Sequence, residues 1–335
     1  MAIDKIQVSG DPRVQYKSAN LNGRKYGYLL AQPESGQYRA TIFLIHGFPD
    51  LSMGWRYQIP MLLGRGLQVV APDCLGYGRT DAPEDAAQYS HKRCADDIKE
   101  LTSQLGLSKI ILGGHDWGAF LAYRIALWHP DLITHLFTVC VPYSPPRKTY
   151  IPLEEGVRTI LPNFTYQLQF RSGEVEKSIR SKDDIRNFLS ALYGGRTADD
   201  GGYAFAAERG VELGKKVGTS RLLSEEELEY YVEQFSRNGL HGPLNWYRTS
   251  EINYKDELSI LDRRIDTPLL FIQALRDPAL PPSLGKGMAR TVPHYTLRQV
   301  DTFHWALWER PDEVNRIIAE WLDQVVFSDR RLVKL

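Results

Sequence analysis

Short runs of branched and aromatic residues recur along this chain, and what separates them limits the folds open to it. RKYGYLLA (24–31), ATIFLI (40–45), QVVAPD (68–73), KIILGG (109–114), LITHLFTV (132–139) and TPLLFIQA (267–274) lie between segments rich in Gly, Pro, Ser and Asp. Their length and composition read as strands. HKRCADDIKELTSQLG (91–106) sits between two of them, and its Cys94, Ile98, Leu101 and Leu105 recur at steps of three and four. That period marks one face of a helix, and AFLAYRIALWHP (119–130) is a second helical stretch. Strands alternating with helices predict an α/β fold, a mostly parallel sheet flanked by helices.

The alternation fails between residues 145 and 255. That stretch opens with VPYSPPRK, whose prolines suit a departure from the sheet. EVEKSIRSKDDIRNFLSALYG (174–194) and SEEELEYYVEQFSRNG (224–239) read as helices, and residues 194–220 as a long irregular loop. In the second helix Ser224 and Glu227 fit a capping box and Gly239 fits the stop. The expected organisation is a core over 1–144, a helical cap over 145–255 and the rest of the core over 256–335. Ligands bind beyond the carboxyl ends of the strands of such a sheet, so an insertion leaving from that edge makes a lid.

Composition narrows the setting. The chain has 335 residues, long for one core, with 41 Lys plus Arg against 41 Asp plus Glu. No basic stripe points to nucleic acid and no acidic tail is present. The start, MAIDKIQVSGDPRV, lacks the charged and apolar regions of a signal peptide, and no run of eighteen apolar residues predicts a membrane span. Cys74, Cys94 and Cys140 are odd in number and lack metal-type spacing, which favours three buried thiols in a reducing, cytoplasmic setting. The C-terminal VKL is a weak match to a peroxisomal S-K-L, and a peroxisomal address is not expected.

The chemistry centres on GGHDWGAF (113–120). A strand runs into it and a helix runs out. In many hydrolases such a turn carries a serine as G-x-S-x-G, at the top of the sheet. Here Gly114, His115, Asp116, Trp117 and Gly118 keep the glycines and put Asp116 at the centre. A helix N-cap is the structural alternative for this aspartate. The flanking glycines instead suit a strained, close-packed turn. A carboxylate there can attack an electrophilic carbon and form an ester. Amide or ester substrates would give an anhydride, so a strained epoxide or a carbon–halogen bond suits it better.

Hydrolysis of that ester calls for a base, an orienting acid and an oxyanion hole. His304 follows the strand-like YTLRQV (295–300) and precedes a helix, completing the chain order nucleophile, acid, base. His115 rivals it by adjacency, but neighbours in an extended run point to opposite faces, which places His115 beneath the turn. Asp277, just past TPLLFIQA, fits the acid; a turn residue before Pro278 is its structural alternative. Asp266 stands at the wrong end of that strand, and Asp301, close to His304, is the weaker candidate. The oxyanion hole would combine the backbone N–H groups of Trp117 and of Phe48, in IFLIHGFPD (42–50).

HGFPD (46–50), GGHDWG (113–118) and HWALWERPDEVNRIIAEWL (304–322) together resemble motifs of the epoxide hydrolase branch of the α/β-hydrolase family. The resemblance runs from about residue 20 to 325. It implies that two lid tyrosines hold the epoxide oxygen. The matching stretches are PNFTYQLQF (162–170), giving Tyr166, and GPLNWYRTSEINY (242–254), giving Tyr247. A phenol stays neutral at pH 7 and can donate to a developing alkoxide. The side chains of Phe48, Trp117 and Trp305 are expected to line an apolar pocket. Phe303 departs from the family, which commonly has Gly there, and is expected to narrow or reshape the pocket near the base. The chain is expected to start directly at the hydrolase domain, without the extra N-terminal domain of some animal relatives.

The implied reaction takes a small apolar epoxide and water to a vicinal diol through an aspartyl ester. It calls for no metal and no organic cofactor. A haloalkane or haloacid dehalogenase would share the nucleophile and base. It commonly has an Asn in the first loop or an Arg after the nucleophile as halide donors, where this chain has Phe48 and Trp117. A non-catalytic binding protein on the same fold is the third reading. Exposed lid aromatics offer a surface for a homodimer, and the oligomeric state stays open.

Overall fold

The computed structural model describes residues 3–328. The tripeptide VKL lies outside the described residues. The chain divides into two compact units. One comprises the chain up to Cys74, His91–Pro146 and the chain from Ile260; the other comprises Leu75–Ser90 and Arg147–Ser259. No helix among the described residues is long and apolar enough to cross a membrane.

The strands in chain order are β1 (Val14–Leu21), β2 (Arg24–Ala31), β3 (Ala40–Ile45), β4 (Leu67–Pro72), β5 (Ile110–His115), β6 (Ile133–Val139), the short β7 (Phe205–Ala206) and β8 (Gly210–Val211), β9 (Leu269–Ala274) and β10 (Tyr295–Val300). The first unit holds an eight-stranded sheet in the order β1-β2-β4-β3-β5-β6-β9-β10. From β4 to β10 every neighbouring pair is parallel, whereas β1–β2 and β2–β4 are antiparallel. Residues of β4, β5 and β9 are buried throughout, and those of β3 and β6 nearly so. Continuous burial is what a parallel sheet covered on both faces demands, and it explains why these strands read as unbroken apolar runs. The outermost strands are different: β1 (VQYKSANL) and β10 (YTLRQV) are mostly polar and largely exposed, as edge strands are.

Helix His91–Gln104 buries Cys94, Ile98 and Leu101, as its period predicted. It also buries Asp97 fully. That carboxylate accepts hydrogen bonds from Asn22 Nδ2 at 2.8 Å, Arg24 at 2.9 and 3.0 Å, and the Tyr26 hydroxyl at 2.7 Å. The buried charge is thus paired, and it ties the β1–β2 hairpin to the helix.

The second unit is mainly helical. In helix Glu225–Asn238 the Ser224 side chain accepts from Glu227 N, Glu227 accepts from Ser224 N, and Gly239 ends the helix at φ 68°. The helix expected over 174–194 is two helices, Glu174–Ser178 and Lys182–Leu192. Ser181 forms a second capping box with Asp184 and starts a new helix there. The expected loop after it contains the antiparallel β7–β8 pair.

Leu75–Ser90, read from the sequence as part of the core, packs within the second unit. Trp246 Nε1 donates to the Leu75 carbonyl at 3.0 Å, and Asn238 Nδ2 donates to the Thr80 carbonyl at 3.0 Å. The Tyr77 ring meets Phe235 and Trp246 edge-on. These partners are far away in sequence, so no local pattern marks the segment.

Candidate active site

The register aligns the carboxyl ends of the central strands. Ile45 of β3 pairs with Gly114 of β5, His115 of β5 with Val139 of β6, and Ala274 of β9 with Val300 of β10. The loops leaving β3, β5, β9 and β10 carry Phe48, Asp116, Asp277 and His304. A parallel sheet therefore brings together residues separated by more than half the chain.

Asp116 sits between β5 and helix Trp117–Trp128 with φ 53° and ψ −128°. A non-glycine residue at positive φ is strained, and surrounding packing must hold it. The glycines provide for this. A side chain at Gly118 would collide with the Ile45 carbonyl, and one at Gly47 with the Asp116 carboxylate and the Trp117 nitrogen. The Asp116 side chain makes no cap to its helix. It accepts instead from the Phe48 N–H at 2.8 Å through Oδ1, and its Oδ2 stands 3.4 Å from His304 Nε2. Asp116 thus stands at the N-cap position, but its carboxylate does not cap the helix.

His304 Nδ1 lies 2.6 Å from Asp277 Oδ2. Asp277 Oδ1 accepts from the Ala279 and Leu280 N–H groups at 2.9 and 3.0 Å. So Asp277 is both a turn residue and the partner of the imidazole, one oxygen for each. Asp301 is turned away and paired with Arg276 Nε at 2.9 Å. Asp266 is exposed before β9, at the opposite end of the strand from Asp277.

Charge follows from this geometry. Burial pushes the Asp116 carboxyl up, but the His304 hydrogen bond and charge, the field of His115 and the Phe48 N–H outweigh it. The carboxyl lies below its ordinary value. Burial pushes His304 down, but Asp277 and Asp116 outweigh it and hold the imidazole well above its usual range. The resting arrangement is an imidazolium between two carboxylates.

His115 is fully buried beneath the turn. Its Nε2 donates to the His304 carbonyl at 3.0 Å, and its ring lies 5.0 Å from the His304 ring. Burial, then the His304 charge, lowers its pKa to about 4, so it is neutral at pH 7. Cys140 Sγ donates to the same carbonyl at 3.1 Å. His115, Cys140 and His304 are the one group among the described residues whose donor atoms cluster as metal ligands do. In this arrangement Nε2 of His115 and Sγ of Cys140 are engaged with that carbonyl, and Nδ1 of His304 with Asp277.

Phe48 is buried and Trp117 partly so. Trp305 stacks on Trp308 with ring centroids 4.5 Å apart, and its other neighbours include the His115 and His304 rings. It braces the base. Phe303, beside His304, is 46% exposed, with the Arg276 guanidinium over its ring.

In the second unit Tyr166 opens helix Tyr166–Arg171 and Tyr247 lies in the turn Trp246–Arg248. Their ring centroids are 6.3 Å apart, with Phe170 against both. Two tyrosines 81 positions apart in sequence form a pair.

One residue went unnoticed in the sequence. The Glu309 carboxylate accepts from the Phe303 N–H at 2.9 Å and the Trp305 N–H at 3.1 Å, the two amides flanking His304. Burial pushes its carboxyl up. An acid in the first turn after the base is the signal that could have found it.

Residues 40–311 match the family model for the alpha/beta hydrolase fold. Epoxide hydrolase srdG of Neurospora crassa is 43% identical over 332 residues, covering 94% of this chain and 97% of the relative. Bifunctional epoxide hydrolase 2 of Rattus norvegicus is 35% identical over 90% of this chain; the match spans 56% of that longer protein. The crystal structure of Epoxide Hydrolase A from Mycobacterium thermoresistibile superposes with a TM-score of 0.79 at 30% identity, covering 93% of this chain and 98% of that one. The sheet order, the strained aspartate turn and these relatives agree: the chain belongs to the alpha/beta hydrolase fold family, in its epoxide hydrolase branch.

Proposed function

We propose that this enzyme hydrolyses epoxides to vicinal diols with Asp116 as nucleophile. The observation that carries the reading is the orientation of Asp116. Its carboxylate ignores the helix it precedes and is held by Phe48 N–H and faced by His304.

Asp116 attacks one ring carbon and breaks its bond to oxygen. Tyr166 and Tyr247 hold that oxygen, and a phenol proton passes to it as charge develops. The phenol regains a proton from solvent. An ester of Asp116 with a hydroxyalkyl group results. Esterification removes one of the two carboxylates that hold His304 protonated, so its proton affinity falls when a base is needed. His304 gives its proton to solvent; now neutral and oriented by Asp277, it takes a proton from water, and the hydroxide attacks the Asp116 ester carbonyl. The N–H groups of Phe48 and Trp117 receive the oxyanion. Collapse releases the diol and restores the Asp116 carboxylate. Strain in the three-membered ring supplies the driving force, and the steps call on no metal or organic cofactor.

The dehalogenase and binding-protein alternatives draw no support from the relatives. The three cysteines are buried free thiols, which favours a reducing compartment such as the cytoplasm. A homodimer is the simplest assembly by symmetry.

The test is diol formation from styrene oxide and a fatty-acid epoxide by wild type and Asp116→Ala. Diol from wild type alone supports the reading. Diol from both would remove Asp116 from the mechanism.

A further inference from the structure

The base is held by its backbone as firmly as by its ring. The carbonyl of His304 accepts from His115 and Cys140. The amide on each side of it donates to one carboxylate, Glu309, oxygen by oxygen. Trp305, the residue between the base and the short helix Ala306–Glu309, has no side-chain cap of its own. Arg276 and His304 are the charged groups whose fields reach Glu309.

We infer that Glu309 is a positioning residue for the second half of the reaction: by gripping the amides of Phe303 and Trp305 it fixes the imidazole of His304 for attack of water on the Asp116 ester. The inference rests on the aspartyl-ester reading above. Glu309 reaches neither Asp116 nor the ring of His304 through any hydrogen bond among the described residues, so it has no part in alkylation. A carboxylate with two oxygens can accept both amides at once. A carboxamide offers one oxygen, and its NH2 group opposes the second N–H. Freed on one side, the loop lets the imidazole drift, and a displacement of about 1 Å is enough to cost about 100-fold in rate.

The two half-reactions separate this role from a simple contribution to folding. Wild type, Glu309→Gln and Glu309→Ala are mixed with excess styrene oxide and quenched at intervals, and the ester on the intact protein is measured by mass. Alkylation should stay within about threefold of wild type. Ester hydrolysis should fall about 10- to 100-fold, more in Ala than in Gln, so that ester accumulates at steady state. Glu309→Asp should restore part of the rate. Melting temperatures are recorded alongside; if the alanine variant does not fold, the glutamine variant carries the comparison. Equal loss in both half-reactions, or no loss in hydrolysis, would overturn the proposal. Absence of ester in the wild type would overturn the reading beneath it, and the proposal with it, before any variant is compared.

Discussion

Nε2 of His304 stands 3.4 Å from Oδ2 of Asp116, and the two groups are shifted in opposite directions, the imidazole up and the carboxyl down. An ion pair is the resting state that this implies. Removing the nucleophile's charge should therefore change the base. In Asp116→Asn only Asp277 still faces the imidazole, and the His304 pKa should fall below its wild-type value. Titration of the imidazole C–H resonances by NMR measures it. An unchanged or higher value would contradict the coupling. By the same logic Asp116 stays ionised through the neutral range, and alkylation is lost only as pH falls below the ordinary carboxylate range, about 4.

Asp277→Asn should spare the fold and halt the second step. The asparagine oxygen would keep the Ala279 and Leu280 N–H groups, as Oδ1 does now. Its NH2 would then face Nδ1 of His304, forcing the tautomer that carries its proton on Nε2. That tautomer cannot take a proton from water. Ester hydrolysis should drop about 10²- to 10⁴-fold while the ester still forms. A variant that hydrolyses its ester at the wild-type rate would contradict the assignment.

Tyr166→Phe and Tyr247→Phe should each slow alkylation about 10- to 100-fold, because one phenol remains to hold the oxygen. The double variant should lose nearly all activity. Total loss in either single variant would argue against shared donation.

Asp97 offers a test of stability apart from the chemistry. Asp97→Ala takes away the fully buried carboxylate to which the buried Tyr26 hydroxyl and the part-buried Arg24 guanidinium donate. Breaking a buried pair from one side costs about 3–5 kcal/mol. Denaturant unfolding should show a loss of that order, and a change under about 1 kcal/mol would mean the site relaxes or hydrates.

The central strands were legible because burial on both faces favours apolar residues, which dominate ATIFLI and KIILGG. β1 was missed for the opposite reason: VQYKSANL lies at a sheet edge and shows no apolar run. Ser224 announced its helix through Glu227, whereas Ser181 used Asp184, an acid one methylene shorter, inside a stretch that otherwise read as one helix. Asp116, Asp277 and His304 were readable as candidates because each follows a strand at its carboxyl end. The pairing of Tyr166 with Tyr247 required the family resemblance, since aromatic residues are common in the insertion. Leu75–Ser90 and Glu309 depend on tertiary partners, Trp246 and Asn238 for the one and the amides of Phe303 and Trp305 for the other.

The central claim is that Asp116 becomes an ester whose carbonyl is attacked by water. A single turnover in ¹⁸O-labelled water, with enzyme in excess over epoxide, tests it most directly. Label is expected in the carboxylate of Asp116, located by mass spectrometry of the peptide that contains it, together with an unlabelled diol. Label in the diol after that first turnover, with none in Asp116, would mean that water attacks the epoxide itself and would contradict the account.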